Sequence, residues 1–402
     1  MENYPPKLLI VTPEFPPEQW GGLAQTVFRV AVHSLNMGFA THVARLTVEP
    51  DKIVLLDENV KVNVFKGVKI FDIIVGKQKY NEARRDIWDC PHNLSLQMMF
   101  QSLEVLQKKE NYDIYQSFFL YPVGYVTGLL AAKYHKPMIS CVVGNDVNKY
   151  FFSPEKVAVC KSALENSDFV VGLSRDLIEL ANALSPISKK SCLIYNSVEV
   201  PEQSWERKPE PTGNVKIGCA GIFKYAKGLP YILKALAILS KSWNVNLELR
   251  GLLRHSEKEV FTEILARTKT EQRVVLLEPV PHEAISEWLL TLDIFVLPSV
   301  TEGCPNILME ALAVGVPTIA TDVGAVSDLI EHGVSGLLVP PGNSAALAEA
   351  IERLLKNFKL ACSLSGSARE RMREFSAQKE RDDWEKVYRR FVDIEVSQAT
   401  SL

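Results

Sequence analysis

The cysteines of this sequence form no pairs. Seven are scattered over 402 residues (Cys90, Cys141, Cys160, Cys192, Cys219, Cys304 and Cys362), with no C-x-x-C spacing. That scatter fits neither a disulfide framework nor a zinc site, and it points to a reducing compartment. A long hydrophobic run is missing too. The most apolar stretch, Leu308 to Val326, is interrupted by Glu310, Pro317 and Asp322, so it does not read as a membrane span. The opening MENYPPKLLIVTPEF lacks the basic segment and apolar core of a secretory signal. The expectation is a cytoplasmic protein, with room for contact at the inner face of a membrane. An excess of positive charge is absent as well: the net charge is −3, and neither half is a polycation. Nucleic acid is therefore not an expected partner. No solenoid-length repeat and no low-complexity tract is visible.

One local exception to the charge balance lies between Lys61 and Arg85. It holds Lys61, Lys66, Lys69, Lys77, Lys79, Arg84 and Arg85 against Asp72 and Glu82. It reads either as a solvated loop or helix face, or as an attraction for an anionic acceptor or anionic lipid.

At this length the chain suits two domains. Short apolar runs alternate with stretches at helical spacing, the pattern of parallel βαβ units. Strands are expected at 7–12, 41–46, 114–117, 138–143, 169–172 and 192–195, with a helix over about 23–37 closed by Gly38. The segment VEVPEQSWERKPEPTGN then breaks the pattern with three prolines and four glutamates. A linker is placed at about 204–213. A second set of strands follows at 215–219, 246–250, 274–277, 293–297, 318–320 and 336–339. The expected architecture is α/β: two doubly wound, Rossmann-like domains, 1–203 and 214–375, facing across a cleft. The helical end, about 376–402, is expected to pack back on the first.

Four stretches carry chemistry. In Asp293–Gly342 a buried strand runs into the loop Ser299–Cys304. Pro305 stands at the first turn of a helix, and Gly315 closes it. Backbone N–H groups around Gly303, Cys304 and Asn306 suit a diphosphate. Glu302 and Glu310 are placed to hold hydroxyls at two points of one ligand. In Ala220–Leu236, a glycine-containing loop between strand and helix carries Lys224 and Lys227. It reads as two exposed lysines, or as ammonium groups set against a diphosphate. In Pro13–Ala31, Gly21 and Gly22 precede a helix and allow close backbone approach to a ligand. In Cys141–Phe152, Asn145 and Asp146 leave a buried strand, either as a simple turn or as groups facing the cleft on the acceptor side.

The run EGCPNILMEALAVGVPTIATDVG resembles the E-x7-E signature of retaining glycosyltransferases of family 4, which have the GT-B fold. The flanking DIFVLPS and GLLVPPGN match as well. The resemblance implies that Glu310 contacts the donor ribose and Glu302 the hydroxyls of the transferred sugar. The backbone at Cys304, Pro305, Asn306 and Ile307 would meet the diphosphate and sugar. The Lys227 loop resembles the family's G-x-x-x-x-x-K-G loop, whose lysine and an arginine bind the donor phosphates. That arginine is replaced here by Ile222, and Lys224 is the candidate substitute. The Gly21–Gly22 turn resembles the family's N-terminal glycine loop. Where many relatives have His-Gly-x-Asp, this chain has Val143, Gly144, Asn145 and Asp146. YNSVEV at Tyr195–Val200 stands where relatives often have an Asn-Gly-Val-Asp turn.

The resemblance therefore implies an enzyme moving a sugar from a nucleotide-diphosphate sugar, UDP- or GDP-linked, to the hydroxyl of a carbohydrate or lipid-linked acceptor. Lys227, Glu302 and Asp146 are its catalytic candidates. The chain lacks a D-x-D triplet, the usual metal anchor of the other large glycosyltransferase fold. No metal ligand and no cofactor is expected, and lysines and helix N-termini must meet the leaving group's charge. Two other readings are a sugar-nucleotide epimerase and a non-catalytic sugar-nucleotide-binding partner.

Overall fold

In a computed structural model of the chain, residues 4–49, 59–76, 91–206, 214–281 and 284–393 are described. The basic residues Lys77, Lys79, Arg84 and Arg85, most of the expected linker and the last nine residues lie outside them. The chain divides into two compact units, residues 1–195 with 380–402, and residues 196–379.

The first unit contains an eight-stranded sheet. Its strands are β1 (Lys7–Thr12), β2 (Ala40–Glu49), β3 (Val60–Phe65), β4 (Val68–Gly76), β5 (Ile114–Phe118), β6 (Met138–Val142), β7 (Phe169–Gly172) and β8 (Ser191–Leu193). The helices are α1 (Gly22–Asn36), α2 (Pro91–Glu110), α3 (Tyr125–Tyr134), α4 (Asn145–Asn148), α5 (Pro154–Glu165) and α6 (Arg175–Leu184). Strand order is β3-β4-β2-β1-β5-β6-β7-β8, parallel except for the antiparallel pair β3–β4. Because side chains alternate across a strand, β1 sends Leu8 and Ile10 into one core and Leu9 and Val11 into another.

The second unit is a six-stranded parallel sheet of order β11-β10-β9-β12-β13-β14. Its strands are β9 (Val215–Phe223), β10 (Val245–Leu253), β11 (Val274–Leu277), β12 (Ile294–Leu297), β13 (Thr318–Thr321) and β14 (Leu337–Val339). The helices are α7 (Leu229–Leu239), α8 (Lys258–Thr268), α9 (Ile285–Leu290), α10 (Asn306–Val314), α11 (Val326–Leu329), α12 (Ser344–Lys356) and α13 (Phe358–Met372). From β9 the chain adds strands on one side and then returns to add β12 on the other. The strand order therefore reverses between β9 and β12, and at such a point crossover loops diverge and leave a crevice at the strands' carboxyl ends.

A last helix, α14 (Ala377–Tyr388), belongs from Glu380 onward to the first unit. Trp384 and Tyr388, one turn apart, are buried with their rings stacked at 5.7 Å. The Tyr388 hydroxyl donates to Gln116 Oε1 at 2.6 Å. Removing a side chain of Trp384's size from such a core costs about 3–5 kcal/mol.

The expected boundary at 203 moves to Tyr195/Asn196. The physical reason is that the segment is anchored at both ends inside the second unit: Asn196 Nδ2 donates to Cys304 O, and Trp205, 7% exposed, donates from Nε1 to Leu292 O at 2.7 Å. A second correction concerns the basic stretch. Lys61, Lys66 and Lys69 lie on or between β3 and β4, with Lys66 (φ +46) and Gly67 (φ +80) making the tight turn. Positive φ at both central residues is what a two-residue hairpin requires.

Candidate active site

Two loops of the second unit meet at the switch point. The loop after β9 carries Lys224 and Lys227, and the loop after β12 runs from Pro298 through Glu302 to α10. Their contact is direct: Lys227 Nζ donates to Glu302 Oε1 at 2.6 Å, and Ser299 Oγ donates to the same oxygen at 2.6 Å. The side chains are 22% and 9% exposed. Losing one partner of so enclosed a pair leaves a charge poorly solvated, which makes the geometry hard to abandon. The backbone reinforces it. Val300 N–H donates to Ala226 O at 2.8 Å, and Thr321 Oγ1 donates to Ser299 O at 2.5 Å.

Two glycines make the approach possible. Gly228 (φ +66) ends the lysine loop so near Pro298 that a Cβ would lie 1.7 Å from its carbonyl oxygen. Gly324 (φ +58), after β13, presses on the acidic loop, and a Cβ there would stand 2.4 Å from Glu302 O. Beside it, Ala325 N–H donates to Gly303 O at 2.8 Å.

Pro305 is the N-cap of α10 rather than its first helical residue. Its φ of −76° and ψ of 109° are extended, and its carbonyl accepts from Leu308 and Met309 N–H. The helix opens at Asn306, and Ile307 lies in the first turn, where a helix presents its partial positive charge. Cys304 and Pro305 are buried, whereas Gly303, Asn306, Ile307 and Glu310 are half-buried. Glu310 sits one turn further into α10, and Gly315 (φ +86) closes the helix.

Asn196 is legible in the sequence only as part of a loosely matching turn, with no role attached. It is 2% exposed, and its Nδ2 donates to Cys304 O at 3.0 Å and to Asn306 Oδ1 at 2.8 Å. It therefore fixes the turn that starts α10.

In the first unit, Gly21 is the N-cap of α1 and Gly22 its first residue. The loop before them is held by Arg45 on β2, which is 6% exposed. Arg45 donates to Phe15 O at 2.9 Å and to Asp72 Oδ1 at 2.6 Å, and it pairs with Glu18. The hydrogen bond from Arg45 holds the Glu18 carboxyl below its ordinary range. Nothing in the local spacing announces this clamp, because its parts are 27 positions apart.

Asp146 corrects the sequence reading. It opens α4 with Asn145 after β6, but it is fully buried, and its carboxylate accepts from Gly144 N–H at 2.9 Å and from Val143 N–H at 3.3 Å. The carboxylate is turned to backbone donors of its own loop and of the loop after β5, not outward. Burial pushes its pKa up to about 6, against the backbone donors that favour the charged form.

Among the described residues no group of three or more His, Cys, Asp or Glu side chains is arranged to hold a metal ion. Likewise, no helix among them is long and apolar enough to cross a membrane.

Residues 214–357 match the family model described as Glycosyl transferases group 1. Among curated relatives, the putative teichuronic acid biosynthesis glycosyltransferase TuaC of Bacillus subtilis is 29% identical over 278 residues, which cover 66% of this chain and 67% of TuaC. Among solved structures, sucrose-phosphate synthase from Thermosynechococcus elongatus superposes with a TM-score of 0.76 at 19% identity, covering 96% of this chain and 98% of that one. Anabaena HepE in complex with UDP-glucose gives 0.73 at 16% identity, covering 96% and 99%. The fold is GT-B, and the chain is a transferase enzyme of the glycosyltransferase class.

Proposed function

We propose that this enzyme is a retaining, metal-independent glycosyltransferase of the family 4 kind, with the E-x7-E pair at Glu302 and Glu310. In this reading it moves a sugar from a nucleotide-diphosphate sugar to an acceptor hydroxyl during polysaccharide, glycan or glycolipid synthesis. The observation that carries the reading is the Lys227–Glu302 pair, held at 2.6 Å at the switch point beside the start of α10. TuaC supports the biosynthetic setting by its name, and HepE supports a UDP-sugar donor by its bound ligand. The scattered cysteines favour work in the cytosol, where a lipid-linked acceptor would be met at the inner membrane face.

The chemistry follows from the charges. As the bond from the anomeric carbon to the β-phosphate oxygen breaks, negative charge grows on the diphosphate. Lys227, Lys224 and the opening N–H groups of α10 meet that charge. Glu302 both holds Lys227 and meets sugar hydroxyls, while Glu310 takes the ribose. The acceptor oxygen attacks from the face the leaving group departs, and its proton passes to the departing phosphate oxygen. The products are a glycoside of unchanged anomeric configuration and a nucleoside diphosphate.

The test is turnover of UDP- and GDP-sugars in EDTA with a panel of sugar acceptors, the product anomer being read by NMR coupling. Acceptor-dependent release of the nucleotide with a retained anomer supports the reading. An inverted anomer defeats the mechanism. Binding of nucleotide sugar without any product points to a non-catalytic binding partner.

A further inference from the structure

Within the first unit, two neighbouring strands, β5 and β6, send out loops rich in aromatic residues. After β5, Phe119 takes φ +87 and ψ 144, a conformation a bulky side chain adopts only where its surroundings enforce it. The five-residue turn Leu120–Gly124 follows, with Tyr121 extended inside it. After β6 the chain passes through α4 and the short turn Tyr150–Phe152 into α5. The buried Asp146 carboxylate ties the two loops, accepting from Gly144 N–H and from the backbone of Leu120.

The strained turn brings Tyr121 against Tyr150, ring centroids 5.5 Å apart at 78°. Lys156, in the first turn of α5, lies 4.5 Å from the Tyr150 ring and 5.1 Å from that of Tyr121. Lys149 stands 5.9 Å from Tyr150. Among the described residues neither lysine makes an ion pair, and Glu155 beside Lys156 pairs with neither. Phe152, two residues from Tyr150, leaves 75% of its surface exposed.

The rings fix where the two ammonium groups stand, and two cations without an ion-pair partner make the local potential positive and attract an anion, to which the positive end of α5 adds. Exposed aromatic surface suits the C–H faces of a sugar ring, which are apolar while the hydroxyls point outward. The cluster lies at the carboxyl ends of β5 and β6, next to β1, where the strand order of this sheet reverses. Ligands of doubly wound sheets gather there.

We propose that Tyr121, Lys149, Tyr150 and Lys156 form a subsite for an anionic sugar, a carbohydrate bearing a phosphate or carboxylate, as the acceptor. This assignment of the acceptor rests on the transferase reading above. Lys156 and Lys149 take the negative group, and the tyrosines and Phe152 supply surface for the ring.

Ligand-observed NMR titration of the full chain tests it, with glucose 6-phosphate, glucuronate, neutral glucose and inorganic phosphate as probes. The expected result is binding of one or both anionic sugars, with glucose and inorganic phosphate about tenfold weaker or more. Loss of a charge contact worth about 1.4 kcal/mol is a tenfold change in Kd, so Lys156→Met should weaken the anionic sugars by about that factor and Lys156→Arg should not. Glucose 6-phosphate and glucuronate distinguish a phosphate from a carboxylate. Glucose binding as well as the charged sugars, phosphate binding as well as glucose 6-phosphate, or no sugar binding at all overturns the proposal. So does unchanged affinity in Lys156→Met. Far-UV circular dichroism and a cooperative thermal transition, read in every variant, report that the fold is intact, and nucleotide-induced stabilisation of the wild type is read alongside. Should Lys156→Met lose the cooperative transition, Lys149→Met takes its place under the same criteria. Anionic-sugar binding with no nucleotide response in the wild type would leave the subsite standing and sink the transferase reading.

Discussion

Lys227 and Glu302 lie 75 positions apart in the chain and meet at 2.6 Å, each at the exit of a strand flanking the switch point of the second sheet. In the proposed function this ammonium is aimed at a diphosphate, and the carboxylate fixes its direction. Lys227→Met and Glu302→Gln should each lower kcat/KM by about 10²–10³-fold, the range seen when a preorganised electrostatic contact is removed. Because the two act as a unit, the double variant should be little worse than either single one. Initial-rate measurements on all three variants check this, and multiplying effects would contradict it.

Gly324 tests how much the loop's shape matters. A methyl group there meets the Glu302 carbonyl oxygen at 2.4 Å, and the residue already sits at φ +58. Gly324→Ala should cost about 1–3 kcal/mol of stability and also lower turnover. Gly333 is the control, at φ +78 with nothing within 4 Å of its would-be Cβ. Gly333→Ala should lose stability and keep turnover. Urea unfolding and steady-state rates distinguish the two.

Asn196 predicts a different signature. Asn196→Ala removes the Nδ2 donor that holds Cys304 O and Asn306 Oδ1. Leaving buried acceptors without that donor should cost about 1–3 kcal/mol of stability, which urea unfolding reads. The donor KM should rise several-fold while kcat changes less, because the start of α10 loses its anchor. Equal KM in wild type and folded variant would remove Asn196 from the site.

Much of this site is legible in the sequence because it is local. The loop Ser299–Cys304, Glu310 within α10 and the closing Gly315 follow in one stretch, where strand, loop and helix signals succeed each other without overlap. The parallel strands are legible for a similar reason: β7 and β11 are short apolar runs and fall where expected. The hairpin β3–β4 is not. Val62 and Val64 are 54% and 70% exposed on an edge strand, so their alternation with Lys61 and Asn63 resembles a solvated basic face. Asp146 misleads because a carboxylate at a strand exit suits a ligand or a buried turn equally, and spacing does not tell which way it points. Arg45, Asn196 and Gly324 act through partners far away in the chain, and single-sequence periodicity carries no signal for them.

Asp146 also gives a pH prediction. Burial raises its pKa from the ordinary 3.8 to about 6, so the folded state holds the proton more tightly than the unfolded state. The contribution to stability is therefore greatest below the ordinary value and is lost as pH rises toward 6. At about 1.4 kcal/mol for each pH unit that separates the folded and unfolded pKa, the loss between pH 4 and 7 is about 2–3 kcal/mol. Asp146→Asn lacks that titration. Denaturant unfolding of wild type and variant should show the gap moving in the variant's favour by about that amount over the interval. A gap that does not change with pH would contradict the assignment.

In the proposed function the second unit binds the donor through the Lys227 loop and the start of α10. The most direct measurement is thermal unfolding of the full chain with UDP, GDP, ADP and CMP in EDTA, beside Glu310→Ala. At about 100 times its dissociation constant, the matching nucleotide should stabilise the protein by about 2.7 kcal/mol, and the variant should lose that shift. If no nucleotide stabilises the wild type, or if Glu310→Ala responds as the wild type does, the donor site lies elsewhere and the account is wrong.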